Sequence, residues 1–586
     1  MRSVTLWVLP WILVACGGHS QAPGGGDGGT PAAHIRVAPD GASVTVVDNV
    51  PVTQGYTATL LNDDGTETDV TSTVTWSLAD PADGTFSGPT LSVGGQGAGP
   101  TRVQATLPDA FGDAGLTIFV KGTRVEGGAP VDSAGLFDGA TENPARAPTI
   151  AYPSDGILVP PNLGQFDVHW TDATTNNVWQ LEMSNAYIDI RIFTTGLDPA
   201  HPRYTLFTPE DWYPIASTKS QLTLVVAGLD TAAPATKGTA PAQHVDVTND
   251  IARGAIYYWT TSGNASIFRY DLATPGTPPT PFFPIDQRPS TCMGCHALSH
   301  DGSKIAMTLD DPDGRGTVLN VADRTQTIFY DGSQPGVIWD YATFNPDATK
   351  LLTLLEGVMQ LRDVSGGAAL GAALPNTPGL VATHPEISPD GTRLVNVEQT
   401  GGASFQDLFC ANGTIVTRPF DDANNTFGAS TILVPADPAN QIANFYPSFS
   451  PDGQWLAFTR TTGQSYSDPS AETWVIKADG SAPPIRLAAA DAAGAVTNSW
   501  ARWVPFAATF GAANEPLFYL TFSTERPFGV RIPAGGQPQI WMTPFFPDRA
   551  AAGMDPSGPA FHVPFQDVTT NNHIAQWTTE LVGPIQ

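Results

Sequence analysis

From residue 34 to about 120, apolar and polar residues alternate in short runs broken by Gly and Asp. The stretches "TSTVTWSLADPADGTFSGPTLSV" and "TRVQATLPDAFGDAGLTIFV" place Val74, Trp76, Phe86, Leu91, Val103 and Ile118 on one face at period two, which predicts half-buried strands. A second β region runs over 148–265 through "FDVHWT", "YIDIRIFT", "LTLVVAGL" and "GAIYYWTTSG". From residue 266 the pattern becomes a repeat. "HALSHDGSKIAM", "YATFNPDATKLLTL", "HPEISPDGTRLVNV" and "YPSFSPDGQWLAFTR" each give an apolar anchor, Ser or Asn, Pro (His300 in the first copy), Asp, and an apolar strand. Pro and Asp-Gly set a tight turn, and the strand that follows alternates. "WARWVPFA" (500–507) is a weaker fifth copy and "HIAQWTTEL" (573–581) a sixth. The anchors are Leu298, Phe344, Ile387, Phe449, Trp503 and Trp577. The early spacings match one four-stranded unit of roughly 40–50 residues, and the later ones imply loops inserted near 436–444 and 545–560.

The chain therefore predicts an all-β protein, and three resemblances give it domains. Residues 34–125 resemble a cysteine-free bacterial immunoglobulin-like β-sandwich, in which Trp76 fills the core in place of a disulfide. Residues 148–265 resemble a fibronectin III or immunoglobulin-like β-sandwich. The repeats resemble those of TolB-type β-propellers. That resemblance implies six blades over 266–586, with a C-terminal strand around Ile574–Val582 closing the ring on an early one such as "SIFRYDL" (266–272).

Composition adds location. Among 586 residues 41% are hydrophobic and only 14% charged, with 58 Gly and 53 Pro, a turn-rich makeup that suits an extracytoplasmic β protein. The net charge of −29 argues against nucleic acid. "MRSVTLWVLPWILVAC" has Arg2 and then an apolar run shorter than the roughly 20 residues needed to cross a bilayer. Residues 1–16 resemble a bacterial lipoprotein signal peptide and lipobox, with Cys16 lipidated and anchored in the membrane. An ordinary signal with an incidental Cys16 is the alternative. Residues 17–33 form a flexible Gly/Pro linker. Gly17 beside Cys16 leans, by the same resemblance, towards an outer-membrane lipoprotein, periplasmic or surface-exposed.

The chemistry concentrates in "TCMGCHALSHDGSKIAM" (291–307). Cys292, Cys295 and His296 form a CxxCH, which supplies two thiols for the vinyl groups of haem c and an imidazole for its iron. Three other uses stay open: a local disulfide, a redox-active pair, or a zinc site drawing on Cys410. The residue three places before each anchor is Cys295, Tyr341, His384, Tyr446, Trp500 and Ile574, the last beside His573. Equivalent positions of a propeller share one height round its axis. A haem attached at Cys292 and Cys295 would thus lie at the channel mouth against Tyr341, Tyr446 and Trp500, with His384 or His573 offered as distal ligand. The plain reading of the same aromatics is packing between blades.

Other motifs read as structure. Asp301, Asp390 and Asp452 are turn residues, "NDDGTETD" (62–69) and "DDPDGRG" (310–316) are hairpin loops, and Met307 is core. His169 and His244 receive no role, and Cys410 reads as a buried thiol on an outer strand. Two functions follow. One is electron transfer or redox sensing by a haem-bearing propeller, with a redox partner or envelope protein. The other is a haem-free scaffold that binds protein or glycan. No catalytic residue is assigned. A peroxidase-like activity would need an open iron site, and no GxSxG, HExxH, Walker or dinucleotide motif is present.

Overall fold

The computed structural model describes residues 34–196, 203–262, 266–283, 293–309, 315–328, 337–374, 376–400, 410–465, 467–492, 494 and 496–579, apart from the Cys295 side chain. Cys16, the signal and linker, Cys292 and most of the 310–316 loop lie outside them. The regular structure of the described chain is nearly all strand, with short helices such as Pro209–Ser217. No described helix is long and apolar enough to cross a membrane.

Alternation works as expected at the N-terminal end. Val74, Leu91, Val103 and Ile118 are buried, but Trp76 does not fill the core as expected: it is half-buried against it and stacks on Phe86 at 5.6 Å. The long strand Ala110–Val125 pairs antiparallel with Gly99–Leu107 along its first part. Along its end it pairs parallel with Ile188–Thr194, Val120 opposite Ile188 and Val125 opposite Phe193. One ladder therefore joins the two N-terminal β regions, because sixteen residues of strand outrun the first partner. The three-stranded sheet of Thr149–Tyr152, Phe166–Thr171 and Tyr204–Phe207 completes the second region. Trp212 stacks on Phe166 at 4.9 Å and seats the Pro209–Ser217 helix, whose first turn is closed by Thr208 and Asp211.

Six further sheets follow, and the innermost strands of all six come from the repeats. We label them β1 (Met293–Leu298), β2 (Tyr341–Phe344), β3 (Val381–Ile387), β4 (Ala443–Phe449), β5 (Ser499–Trp503) and β6 (Asn572–Trp577). Each touches the next, and β6 returns to β1, so the sheets ring a common axis as in a β-propeller. The closing strand differs from the expected one in a detail. β6 pairs with Ala255–Thr260, and Ser266–Asp271 is the strand outside that. "GAIYYWTTSG", read from the sequence as the last strand of the second sandwich, thus belongs to the closing sheet. Its inward and outward sides are both apolar, as a strand buried between neighbours requires.

The turns after β1 to β4 repeat one hydrogen-bond scheme. Ser299, Ser388 and Ser450 each accept the N–H five residues on, from Lys304, Arg393 and Trp455. Asp301, Asp390 and Asp452 accept from those serines and from the N–H two residues on. Asn345 substitutes for the serine in the remaining copy and accepts from Lys350 N–H. The aspartates are structural, as the turn signal implied. Met307 is buried core, and "NDDGTETD" links the antiparallel pair Thr57–Leu61 and Glu67–Asp69. Cys410 is buried but precedes the strand Thr414–Asp421 instead of lying on a strand.

Candidate functional site

The inner strands do more than pair. In β3, β4, β5 and β6 the register slips by one residue at the position three before the anchor, a β-bulge. The residue there adopts a left-handed backbone: His384 (φ 46°), Tyr446 (φ 51°), Trp500 (φ 59°) and Ile574 (φ 50°). β1 slips in the same place, between Gly294 and Ala297, which puts the backbone of Cys295 and His296 in the bulge. β2 alone keeps an unbroken ladder. Bulky side chains are disfavoured at positive φ, so this recurrence on one ring marks strain held by the surrounding fold.

The result is a central cavity of about 350 Å³ built in three tiers. The floor is Tyr341, His384, Tyr446, Trp500 and Ile574, with Trp259 and His296 at its side. Two residues nearer the turn comes a polar belt of Ala297, Thr343, Glu386, Ser448, Arg502 and Gln576. The rim carries His300, Pro346, Pro389, Pro451, Pro505 and Thr579 and is at least partly exposed. The belt and the rim take one residue from each of the six repeats and the floor one from each of five, so equal positions in the repeats fall at equal heights.

The floor is tightly packed. Tyr446 and Trp500 stack with centroids 3.6 Å apart, and His384 lies 4.2 Å from Tyr446 and 4.8 Å, edge on, from Tyr341. His384 is buried, and neither Nδ1 nor Nε2 has a hydrogen-bond partner among the described residues. Burial, helped by the Arg502 charge, holds its pKa well below the ordinary histidine value, so the ring is neutral. His296 is likewise buried and pushed down to about 4, chiefly by desolvation, with Arg502 adding to it and the Tyr257 and Ile574 carbonyls opposing. Gln576 donates to the His296 carbonyl at 3.2 Å.

In the belt, Glu386 accepts from Phe449 N–H at 2.7 Å and from the Ser448 hydroxyl at 3.2 Å. Burial still raises its pKa against these bonds and against Arg502. Arg502 is half-buried, and Nη1 donates to its neighbour's carbonyl, Ala501 O, at 2.9 Å. Among the described residues it makes no ion pair.

The structure thus gathers His296, Tyr341, His384, Tyr446 and Trp500 in one cavity. His573 does not join them. One position beyond the floor, it lines a separate cavity of about 160 Å³ with Ser499, Ser523 and Asn571, and burial lowers its pKa to about 4. A strand alternates its faces, so the neighbour of a channel residue turns elsewhere. Arg502, Glu386 and Gln576 went unread in the sequence. The signal was there, since each stands just before its anchor.

For a c-type haem, the imidazoles fit: two neutral, buried rings face one cavity, one with both nitrogens unsatisfied. The thiols are not described. The floor aromatics lie directly on one another, so a macrocycle finds no slot among them and would have to lie on one face of the layer. No group of three His, Cys, Asp or Glu suited to a metal ion occurs among the described residues. His169 is buried beside Tyr204 and Phe528, and His244 is exposed beside Asp155, both away from the channel.

No protein-family model and no curated protein matches this chain. Among solved structures, a putative TolB from Agrobacterium tumefaciens is similar over 53% of this chain and 88% of its own, at 15% identity and a TM-score of 0.31. A nidogen/laminin complex is similar over 56% and 100%, at 11% and 0.35. The dihydro-haem d1 dehydrogenase NirN in complex with DHE is similar over 50% and 58%, at 15% and 0.29. Likeness of this size carries nothing about activity.

Proposed function

We propose that this chain is a lipid-anchored extracytoplasmic protein in which two β-sandwich regions, 34–125 and 148–265, carry a six-bladed TolB-like propeller. On this reading haem c is bound through Cys292 and Cys295, with His296 on the iron, and serves electron transfer or redox sensing with an envelope partner. The observation that supports it is the pairing of imidazoles. His296, kept neutral by burial, shares a cavity with His384, whose nitrogens lack any partner. A ligating histidine must be neutral, and a buried polar group without a partner calls for an explanation. The haem would supply a one-electron couple, and the protein would supply ligands and a dry surround.

The test is production with a periplasmic haem-attachment system, followed by a pyridine haemochrome spectrum and an intact mass. Porphyrin bound to the chain, lost in Cys292→Ser/Cys295→Ser, supports the reading. A mass of polypeptide plus lipid without porphyrin ends it. If haem is present, a low-spin spectrum that turns high-spin in His384→Ala assigns His384 as distal ligand.

A second reading, a haem-free binding scaffold, is favoured by a different observation. The cavity opens through a partly exposed rim onto a cation with no ion pair among the described residues. It survives a negative haemochrome.

A further inference from the structure

Arg502 is the unexplained group of the channel. A guanidinium drawn partly out of water is costly to hold without an anion. Glu386 feels the Arg502 charge through space, but its carboxylate is committed to Phe449 N–H and Ser448 and forms no ion pair with Arg502. Below the cation lies a buried aromatic floor containing His384, a neutral imidazole with two unsatisfied nitrogens lining the cavity. Above it, the partly exposed Pro389 and Pro451 and the exposed His300 leave the cavity accessible from the turn side.

We propose that the channel is a binding site for a small aromatic monocarboxylate. Arg502 holds the carboxylate, the ring lies against the Tyr446–Trp500 floor, and His384 meets a further polar atom of the ligand. Glu386 in the same belt repels a second negative charge, which selects a monoanion over a dianion. The inference deepens the scaffold reading and does not depend on haem. The haemochrome and the binding measurement below therefore fail separately.

The test uses the full-length processed protein and isothermal titration calorimetry with indole-3-acetate and its neutral isostere indole-3-acetamide. The acetate is expected to bind at least tenfold more tightly than the amide, and the gap should narrow at high salt. Arg502→Gln should weaken the acetate at least tenfold and leave the two ligands equal. Arg502→Lys should keep part of the preference. The proposal is overturned if neither compound binds at millimolar concentration, if wild-type protein binds both equally, or if Arg502→Gln leaves the preference intact. The wild-type comparison decides the matter even if the variants fail to fold.

Discussion

Two aromatic clusters in this molecule look alike on paper and differ in every physical respect. In the N-terminal region Trp76 stacks on Phe86 from extended strands, stays half-buried, and donates its indole N–H to Thr71 O at 3.1 Å. In the channel Trp500 stacks on Tyr446 from left-handed bulge residues, both buried, beside an imidazole with no hydrogen-bond partner among the described residues. The first cluster packs against the margin of the N-terminal core. The second combines strain, burial and an unsatisfied polar group on one ring. Folds tolerate that combination where something is to be bound.

Truncation should separate the two clusters most. Trp500→Ala should cost about 3–5 kcal/mol in urea unfolding, the usual range for a buried Trp, whereas half-buried Trp76→Ala should cost well under that. Equal losses would show the floor to be no better packed than the margin of the N-terminal core.

Acid comes next. His296 has a folded pKa of about 4 against an ordinary value of 6.5, so between those values the unfolded chain takes up a proton that the native protein refuses. Stability is therefore lost as pH falls from 6.5 towards 4, and the loss levels off below. In the haem-free protein His296→Asn should remove up to about 3 kcal/mol of that loss, measured as the pH dependence of urea midpoints. An unchanged pH profile would mean that the imidazole titrates normally.

Glu386 tests the belt against an exposed ion pair. Glu386→Ala leaves Phe449 N–H without its acceptor and should destabilise by about 2 kcal/mol. Glu67→Ala, which breaks the solvent-exposed pair with Arg36, should leave thermal unfolding unmoved.

The smallest effect is a reversal of sign. At His384, where φ is positive, Gly should be more stable than Ala by about 1 kcal/mol. At Tyr341, on the one regular inner strand, Ala should be more stable than Gly by about the same. Chemical denaturation of the four variants settles it. The same order at both sites would remove the strain argument.

Much of this was legible beforehand because turns and strands are local. The Pro-Asp-Gly signal and its variants located the turn after four of the inner strands, and the apolar anchor alone located the degenerate copies at 500–507 and 573–581. Counting back three residues from each anchor found the floor: Tyr341, His384, Tyr446, Trp500 and Ile574 do share one level. His573, offered only as the neighbour of Ile574, fell outside the channel, since an adjacent residue on a strand faces another way. The same count passed over Arg502 and Glu386, which look like ordinary surface charges until six strands are closed round them.

Short-range pattern was thus enough for the β class, the repeat and its turns, since each depends on residues only a few places apart. Which side chains meet was a long-range matter. It required a strand from residue 255 to find one from residue 572, the backbone to slip by one residue in five inner strands, and a ring to form that withdrew one arginine and two histidines from water. Those energies come from neighbours hundreds of residues away, and no window of the chain contains them.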